Sequence, residues 1–332
     1  MRLLVTGGAG FIGSNFVRYM LKEHPDYQII VLDKLTYAGN LANLADVSGN
    51  PNFRFVKGDI CDARLVDSVV AEVDAILNFA AETHVDRSIL DAGSFIQTDV
   101  YGTFVLLEAA KKHGTKRFLQ ISTDEVYGDI PAGSSREQDP LRPRSPYSAS
   151  KAGGELMAQA YYVTYGVPVI ITRGSNNYGP YQYPEKLIPV LITNAIQDME
   201  LPIYGDGRQI RDWLYVLDHC IAIDTILHRG EVGEAYNIGG GNERINLDIA
   251  LKVLDLLEKP RSLIRFVKDR PGHDRRYSLD CSKLKALGWK PIHDFEQGLA
   301  ATVQWYVANE DWWRPLKSGE YWEYYKRNYA GR

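Results

Sequence analysis

A chain of 332 residues, 45% hydrophobic and 24% charged, has an ordinary globular composition, which excludes a fibrous or disordered protein and leaves room for one large α/β unit or two closely joined domains. Its net charge of -4 gives no global pull toward nucleic acid or a membrane surface, and no apolar run is long enough to span a bilayer. Cys61, Cys220 and Cys281 are widely spaced with no C-x-x-C pair, so buried thiols are expected rather than zinc or redox chemistry. Residues 2–6 already read as a strand, so no signal peptide is expected and a cytoplasmic location follows.

In chain order, the β-branched apolar runs RLLVTG, QIIVLD, FRFVKGD, AILNFAA, RFLQIST and PVIITRG alternate with amphipathic stretches that predict helices over 11–24, 63–73, 98–113 and 147–165. Such runs belong to strands buried on both faces, so the pattern predicts an α/β fold with a Rossmann-type doubly wound parallel sheet in a domain over 1–175. From residue 176 to 332 Gly-, Pro- and Asn-rich loops predominate, with helices predicted near 188–197, 217–227 and 246–257, which suits a smaller mixed α/β domain. EAYNIGG is strand-like, so the first sheet can recruit a later strand near 234–240.

LLVTGGAGFIGS sets Gly7, Gly10 and Gly13 between the first strand and the first helix. Glycines there allow a tight turn and close backbone approach, so a pyrophosphate can sit on the helix N-terminus, drawn by free N–H groups and the dipole. Asp33 ends the second strand 20 residues after Gly13, where a carboxylate can accept hydrogen bonds from a ribose diol. It would repel a 2′-phosphate, so NAD is expected rather than NADP. Asp59, ending the third strand in KGDI, suits either an adenine amino group or the cap of the next helix.

SPYSASKAGGE carries Tyr147 and Lys151 four residues apart on one helix face. A phenol of pKa about 10 is a poor base, but an ammonium about 4 Å away at an effective dielectric near 20 stabilises the phenolate by about 4 kcal/mol, or roughly three pKa units before burial opposes it. Thr123, 24 residues earlier at a strand end, offers a hydroxyl to a substrate oxygen. Directly after it, ISTDEVYG sets Asp124 and Glu125 side by side. In a continuing strand they would face opposite ways, so joint use of both acids requires the strand to stop at Thr123.

Together TGGAGFIG, Asp33, Thr123 and the Tyr147/Lys151 pair resemble the extended short-chain dehydrogenase/reductase family of nucleotide-sugar enzymes, over essentially the whole chain. More narrowly, DKLTYAGNL, AAETHVDRSI, ISTDEVYG, PYSASKA, RGSNNYGPYQYPEKLIP and DRPGHDRRY are similar to the dTDP-glucose 4,6-dehydratase branch. The resemblance implies a lyase with tightly held NAD. Tyr147 would take the C4 hydroxyl proton as the C4 hydride passes to NAD⁺, Glu125 would take the C5 proton, and Asp124 would protonate the departing C6 hydroxyl. Return of the hydride to C6 would give dTDP-4-dehydro-6-deoxyglucose for deoxysugar biosynthesis. The scheme needs one protonated and one ionised carboxyl, which two close carboxyls supply by splitting their titrations.

The resemblance further implies cofactor contacts at Gly7, Gly10, Phe11, Ile12, Gly13, Asp33, Lys34, Leu35, Thr36, Asp59, Ile60, Ala80, Ala81, Thr98, Tyr147, Lys151 and Asn177. Substrate contacts are implied at Thr83, Thr123, Asn176, Lys186, Leu187, Pro202, Ile203, Tyr204, Arg211, Asn246, Asp269, Arg270 and His273. Arg211 and Arg270 suit a diphosphate and Tyr204 a pyrimidine face. His84 and His273 lack metal-ligand spacing, so no metal is expected. The small residues of SASKAGGELMAQA suit the helix-packed homodimer of the family, and the aromatic C-terminal stretch is expected to pack on the second domain rather than bind nucleic acid. The alternatives are a nucleotide-sugar 4-epimerase, which needs NAD, Tyr147 and Lys151 but no acid pair, a dehydratase for another nucleotide sugar, and a non-catalytic NAD-sensing module.

Overall fold

The computed structural model describes residues 1–329. In chain order its strands are β1 (Arg2–Thr6), β2 (Gln28–Asp33), β3 (Phe53–Lys57), β4 (Ala75–Asn78), β5 (Arg117–Thr123), β6 (Val169–Gly174), β7 (Asn176–Tyr178), β8 (Leu201–Tyr204), β9 (Ile210–Tyr215), β10 (Ala235–Ile238), β11 (Glu243–Ile245) and β12 (Ile264–Val267). Seven of them form one parallel sheet in the order β10-β6-β5-β4-β1-β2-β3. β10 extends it beyond β6, with Ala235 opposite Ile171, so the chain returns to this sheet after building β7 to β9.

Period-two alternation sorts the apolar runs onto two covered faces. Leu3, Val5, Ile29, Val31 and Leu119 pack with Phe16 and Met20 of helix Phe11–Glu23 and with Ile223 and Ile226 of helix Val216–Arg229. Leu4, Ile30, Leu32, Ile76 and Phe118 pack on the opposite face with Val66 and Val69 of helix Ala63–Val70 and with Leu106 and Leu107 of helix Thr103–His113. Each such side chain contributes about 1.5–3 kcal/mol by leaving water. The strand order turns at β1, which lies between β4 and β2, and this opens a crevice at the C-terminal strand ends.

Two local features shape that crevice. β5 stops at Thr123, and a single 3₁₀ turn, Asp124–Tyr127, takes over, with the Glu125 N–H donating to Thr123 Oγ1 at 3.3 Å. The helix expected over 98–113 instead opens as a π-helical segment, Ile96–Gly102, before its α-helical part. Helix Pro146–Tyr165 packs closely against this segment: a Cβ on Gly154 would lie 2.7 Å from the Asp99 carbonyl oxygen, and one on Gly153 would lie 2.9 Å from Val100 Cγ2. Wide π turns of this kind concentrate at functional sites.

A third apolar cluster gathers around β8 and β9, where helices Leu187–Ile196, Asn246–Leu256 and Phe295–Ala308 bury Ile188, Leu191, Ile249, Val253 and Leu299. The aromatic C-terminal stretch forms helices Glu310–Trp313 and Gly319–Tyr329, with Trp313 and Tyr321 fully buried.

Arg173 on β6 ties these parts together from within. Its Nε donates to Glu155 Oε2 at 2.9 Å, and its Nη1 donates to the Tyr127 hydroxyl at 2.6 Å, which fixes the turn carrying Asp124 and Glu125. The two charged side chains are only 7% and 1% exposed, so neither charge finds water if its partner is lost. Arg173→Met is expected to cost about 3–5 kcal/mol in urea unfolding because it strands the Glu155 charge, and adding Glu155→Leu is expected to recover much of that loss.

Candidate active site

The crevice begins at a turn that tolerates no side chain. Gly7 has φ 66, and a Cβ there would lie 2.6 Å from the Ala80 nitrogen, while one on Gly13 would lie 2.4 Å from the Gly7 carbonyl oxygen. At the tip of β2, Asp33 accepts from the Ala9 N–H at 2.9 Å and from the Leu35 N–H at 2.8 Å. Burial pushes its carboxyl above the usual range, and those two N–H groups pull it back down. Lys34 Nζ pairs with Asp59 Oδ2 at 2.7 Å. The cap of helix Ala63–Val70 is Asp62, so of the two uses weighed for Asp59 the capping one belongs to its neighbour.

Of the expected cofactor positions, all but Leu35 and Asn177 line this cleft. Leu35 takes φ 59 and serves Asp33 through its N–H. Asn177 lies in an adjoining cavity, its Oδ1 2.9 Å from His219 Nδ1 and its Nδ2 donating to the Ser175 carbonyl at 2.9 Å. A Cβ-free turn against a helix N-terminus and a carboxylate at the next strand tip fit the phosphates and a ribose of a dinucleotide.

Cleft and cavity meet over Ile121, Ser122 and Tyr147. Lys151 is buried and its Nζ donates to the Ile121 carbonyl at 2.7 Å. Burial lowers its pKa, against the pull of Asp99 and Glu155. The Tyr147 phenol is pushed well above 10, by burial first and then by Glu125, Asp99 and Asp124, with the Thr123 hydroxyl pulling the other way. Burial, expected to oppose the phenolate, is the largest of these causes, and the three carboxyls add to it. Asp99 is itself raised to about 6 by burial, although it faces Lys151 and accepts from Ser150 Oγ and the Glu82 N–H.

Asp124 is 2% exposed; its Oδ1 accepts from Thr123 Oγ1 at 3.2 Å, and its Oδ2 has no partner among the described residues. Burial raises its pKa well above the carboxylate range, and the Glu125 charge raises it further. Glu125 is also raised by burial, but Arg270, Arg211 and Lys186 pull it back. Of the two, Asp124 is the one pushed further above the carboxylate range.

The cavity beyond the pair brings together Thr83, Thr123, Asn176, Lys186, Leu187, Pro202, Tyr204, Arg211, Asn246, Arg270 and His273. Ile203 and Asp269 are not among its lining. Alternation along β8 sends Pro202 and Tyr204 to the cavity and Ile203 to the core, where it is 1% exposed. Asp269 instead stands behind His273, its Oδ1 2.6 Å from His273 Nδ1. Burial, Arg270 and Arg211 lower His273 to about 4, so the ring is neutral. The buried atoms Ser122 Oγ, Asp124 Oδ2, Ser175 Oγ, Asn176 Oδ1, His219 Nε2, Asn246 Oδ1 and Arg270 Nε all lack partners among the described residues, and all belong to residues of this cavity. So many unpaired polar atoms in one place call for a polar ligand.

The sequence reading missed His84, Asp86, Ser122, Ser175, Glu185, Trp213 and His219, which also line the cavity. Asp86 accepts from the hydroxyls of Tyr324 and Tyr204 at 3.2 and 3.3 Å and lies 3.5 Å from Arg270 Nη1. The motif AAETHVDRSI, after β4, held the available signal for His84 and Asp86; His219 sits in an ordinary amphipathic helix and gave none.

The fold and this constellation define the class first: an α/β protein of the short-chain dehydrogenase/reductase type, with a Thr, Tyr and Lys group at a dinucleotide cleft. A family model described as GDP-mannose 4,6 dehydratase matches residues 4–302. The chain is 54% identical over 323 residues to a dTDP-glucose 4,6-dehydratase of Streptomyces niveus, covering 96% of each. The structure of the dTDP-glucose 4,6-dehydratase DesIV from Streptomyces venezuelae, with NAD bound, matches at TM-score 0.94 and 54% identity over 96% of this chain and 100% of that one. A UDP-glucuronic acid 4-epimerase from Bacillus cereus matches at TM-score 0.88 and 30% identity over 93% and 99%. The chain belongs to the nucleotide-sugar 4,6-dehydratase family, and within it to the dTDP-glucose 4,6-dehydratases.

Two outcomes are expected. Asp33→Asn should weaken NAD binding by about 10–100-fold in calorimetry, the size of a lost charge-assisted hydrogen bond, and should narrow the preference over NADP. The folded pKa of Asp124 lies above its unfolded value, so the stability this group contributes at low pH is lost as pH rises toward the folded pKa. Asp124→Asn should therefore unfold at a higher temperature than the parent at pH 8, with the gap closing toward pH 4.

Proposed function

We infer that this protein is a dTDP-glucose 4,6-dehydratase that uses NAD. The observation that carries the reading is the adjacent pair of buried Asp124 and half-buried Glu125, which lines, with Tyr147, a cavity rich in unpaired polar atoms. A 4-epimerase has no use for two acids there. We assign residues 1–175, joined by β10, to the cofactor and residues 176–332 to the nucleotide sugar.

NAD, when bound, supplies acceptance of a hydride from C4 and its return to C6. The chain does the rest. Thr123 and Tyr147 hold the C4 oxygen, and Tyr147, ionised to the phenolate with Lys151 one helical turn away, takes its proton. Glu125, held toward the ionised state by Arg270, Arg211 and Lys186, takes the proton that the 4-keto group has made acidic at C5. Asp124 gives its proton to the departing C6 oxygen, and water leaves; as the hydride returns to C6, C5 takes back a proton, which exchange with solvent makes a deuteron in deuterated water. Arg211 and Arg270, which line the cavity, offer the charge that a diphosphate needs, and Pro202 and Tyr204, also in its lining, suit a thymine ring.

A homodimer and a cytoplasmic location belong to the same reading. On the outer side of helix Pro146–Tyr165, Leu156, Val163 and Tyr165 are 61%, 73% and 55% exposed, and Ile96 on the adjoining π segment is 59% exposed. Apolar groups so arranged suit pairing with a second copy. Light scattering should give about twice the chain mass of 37.4 kDa, and Val163→Asp should halve it; a monomer mass for the parent would remove the dimer.

Incubation with dTDP-glucose in deuterated water should give a 4-keto-6-deoxy product with deuterium at C5. Unchanged sugar or the C4 epimer would overturn the assignment. Asp124→Asn and Glu125→Gln should bind NAD as the parent does while eliminating water at least about 100-fold more slowly, the scale of a lost general acid or base.

A further inference from the structure

We propose that His24, Asp224 and His228 form a site for a borderline first-row divalent cation, with Zn²⁺ as its probe, that clasps helix Phe11–Glu23 to helix Val216–Arg229. His24 is the C-cap of the first helix, at the end opposite the glycine turn. Asp224 and His228 stand four residues apart on the other helix, and so share a face.

His24 Nε2 and His228 Nδ1 each lie 3.0 Å from Asp224 Oδ1. One ligand atom from each of the three side chains lies within 4.8 Å of the others. Ligands bonded at about 2.0–2.1 Å to a tetrahedral cation stand roughly 3.3 Å apart, so the three atoms already approach one face of a coordination shell. Two imidazoles and one carboxylate form a donor set suited to zinc and its neighbours rather than to calcium or magnesium.

Groups behind the ligands hold them in place. The far nitrogen of His228, Nε2, is 2.8 Å from the Tyr27 hydroxyl, and Asp224 Oδ2 accepts from the Tyr19 hydroxyl at 3.2 Å. Such outer partners orient ligands and fix the imidazole tautomer. The three side chains are 25%, 15% and 31% exposed, which leaves a path for entry and room for water to complete the shell. His228 Nδ1 also lies 2.9 Å from the Asp224 carbonyl, and a cation would replace that hydrogen bond. None of the three residues lines the cofactor cleft or the substrate cavity, so the clasp acts on stability and not on chemistry.

Tag-free, chelator-treated full-length protein titrated with Zn²⁺ in a calorimeter should bind one equivalent per chain. Its unfolding midpoint should rise by about 5 °C when Zn²⁺ is at about 100 times its Kd. His24→Ala and His228→Ala should each weaken that binding at least tenfold, with His24→Gln as the milder variant should alanine disturb folding. His113→Ala, which removes a histidine beside Asp67 on another face, should leave it unchanged. Absence of saturable binding, or equal binding by the parent and the His24 and His228 variants, would overturn the proposal.

Discussion

Two adjacent carboxyl groups, one buried and one half-buried, cannot both be ionised at low cost, and the rest of the site follows from that constraint. Asp124 and Glu125 share one 3₁₀ turn, and desolvation raises both. What separates them is where positive charge stands. Arg270, Arg211 and Lys186 act on Glu125, while Arg211 alone among these acts strongly on Asp124, against both Glu125 and Asp212. This asymmetry supports the proposed division into an acid and a base, which elimination of water across two adjacent carbons requires.

The scaffold supports this arrangement at a cost in stability. A strand that continued through Glu125 would turn one acid away, so β5 has to stop, and Thr123 caps the turn that replaces it. Tyr127 at the end of that turn is held by Arg173, whose charge is answered by Glu155 in the helix that also carries Tyr147 and Lys151. The turn and the helix are therefore positioned by one buried network. The same crowding of carboxyls raises the Tyr147 phenol, so the protonation states of acid pair and tyrosine are coupled rather than independent.

Much of this was legible in the sequence because the signals were local. The six apolar runs that became β1 to β6, the glycine turn, Asp33 after a strand, and the four-residue spacing of Tyr147 and Lys151 each depend on neighbours within a few residues. What stayed hidden depended on packing between distant segments. The π segment at Ile96–Gly102 packs against glycines more than 50 residues away from its centre in sequence, at 153 and 154. The short strands β7, β8, β9, β11 and β12 lie in loop-rich sequence without clear alternation, and Ile203 was placed with its neighbours because the strand that turns it inward was not seen. The carboxyls that raise the Tyr147 phenol are likewise brought by packing: Asp99 and Glu125 reach it through the fold, not through sequence spacing.

The central claim is that one carboxyl of the pair holds a proton at neutral pH and the other does not. Carbon-13 NMR of protein labelled at aspartate and glutamate side-chain carboxyls, with Asp124→Asn and Glu125→Gln used for assignment, measures this directly. The account predicts an Asp124 carboxyl that titrates well above the ordinary value of about 3.9 and is still protonated at pH 7, beside a Glu125 that is ionised there. Two carboxyls that are both ionised at pH 7 would contradict it.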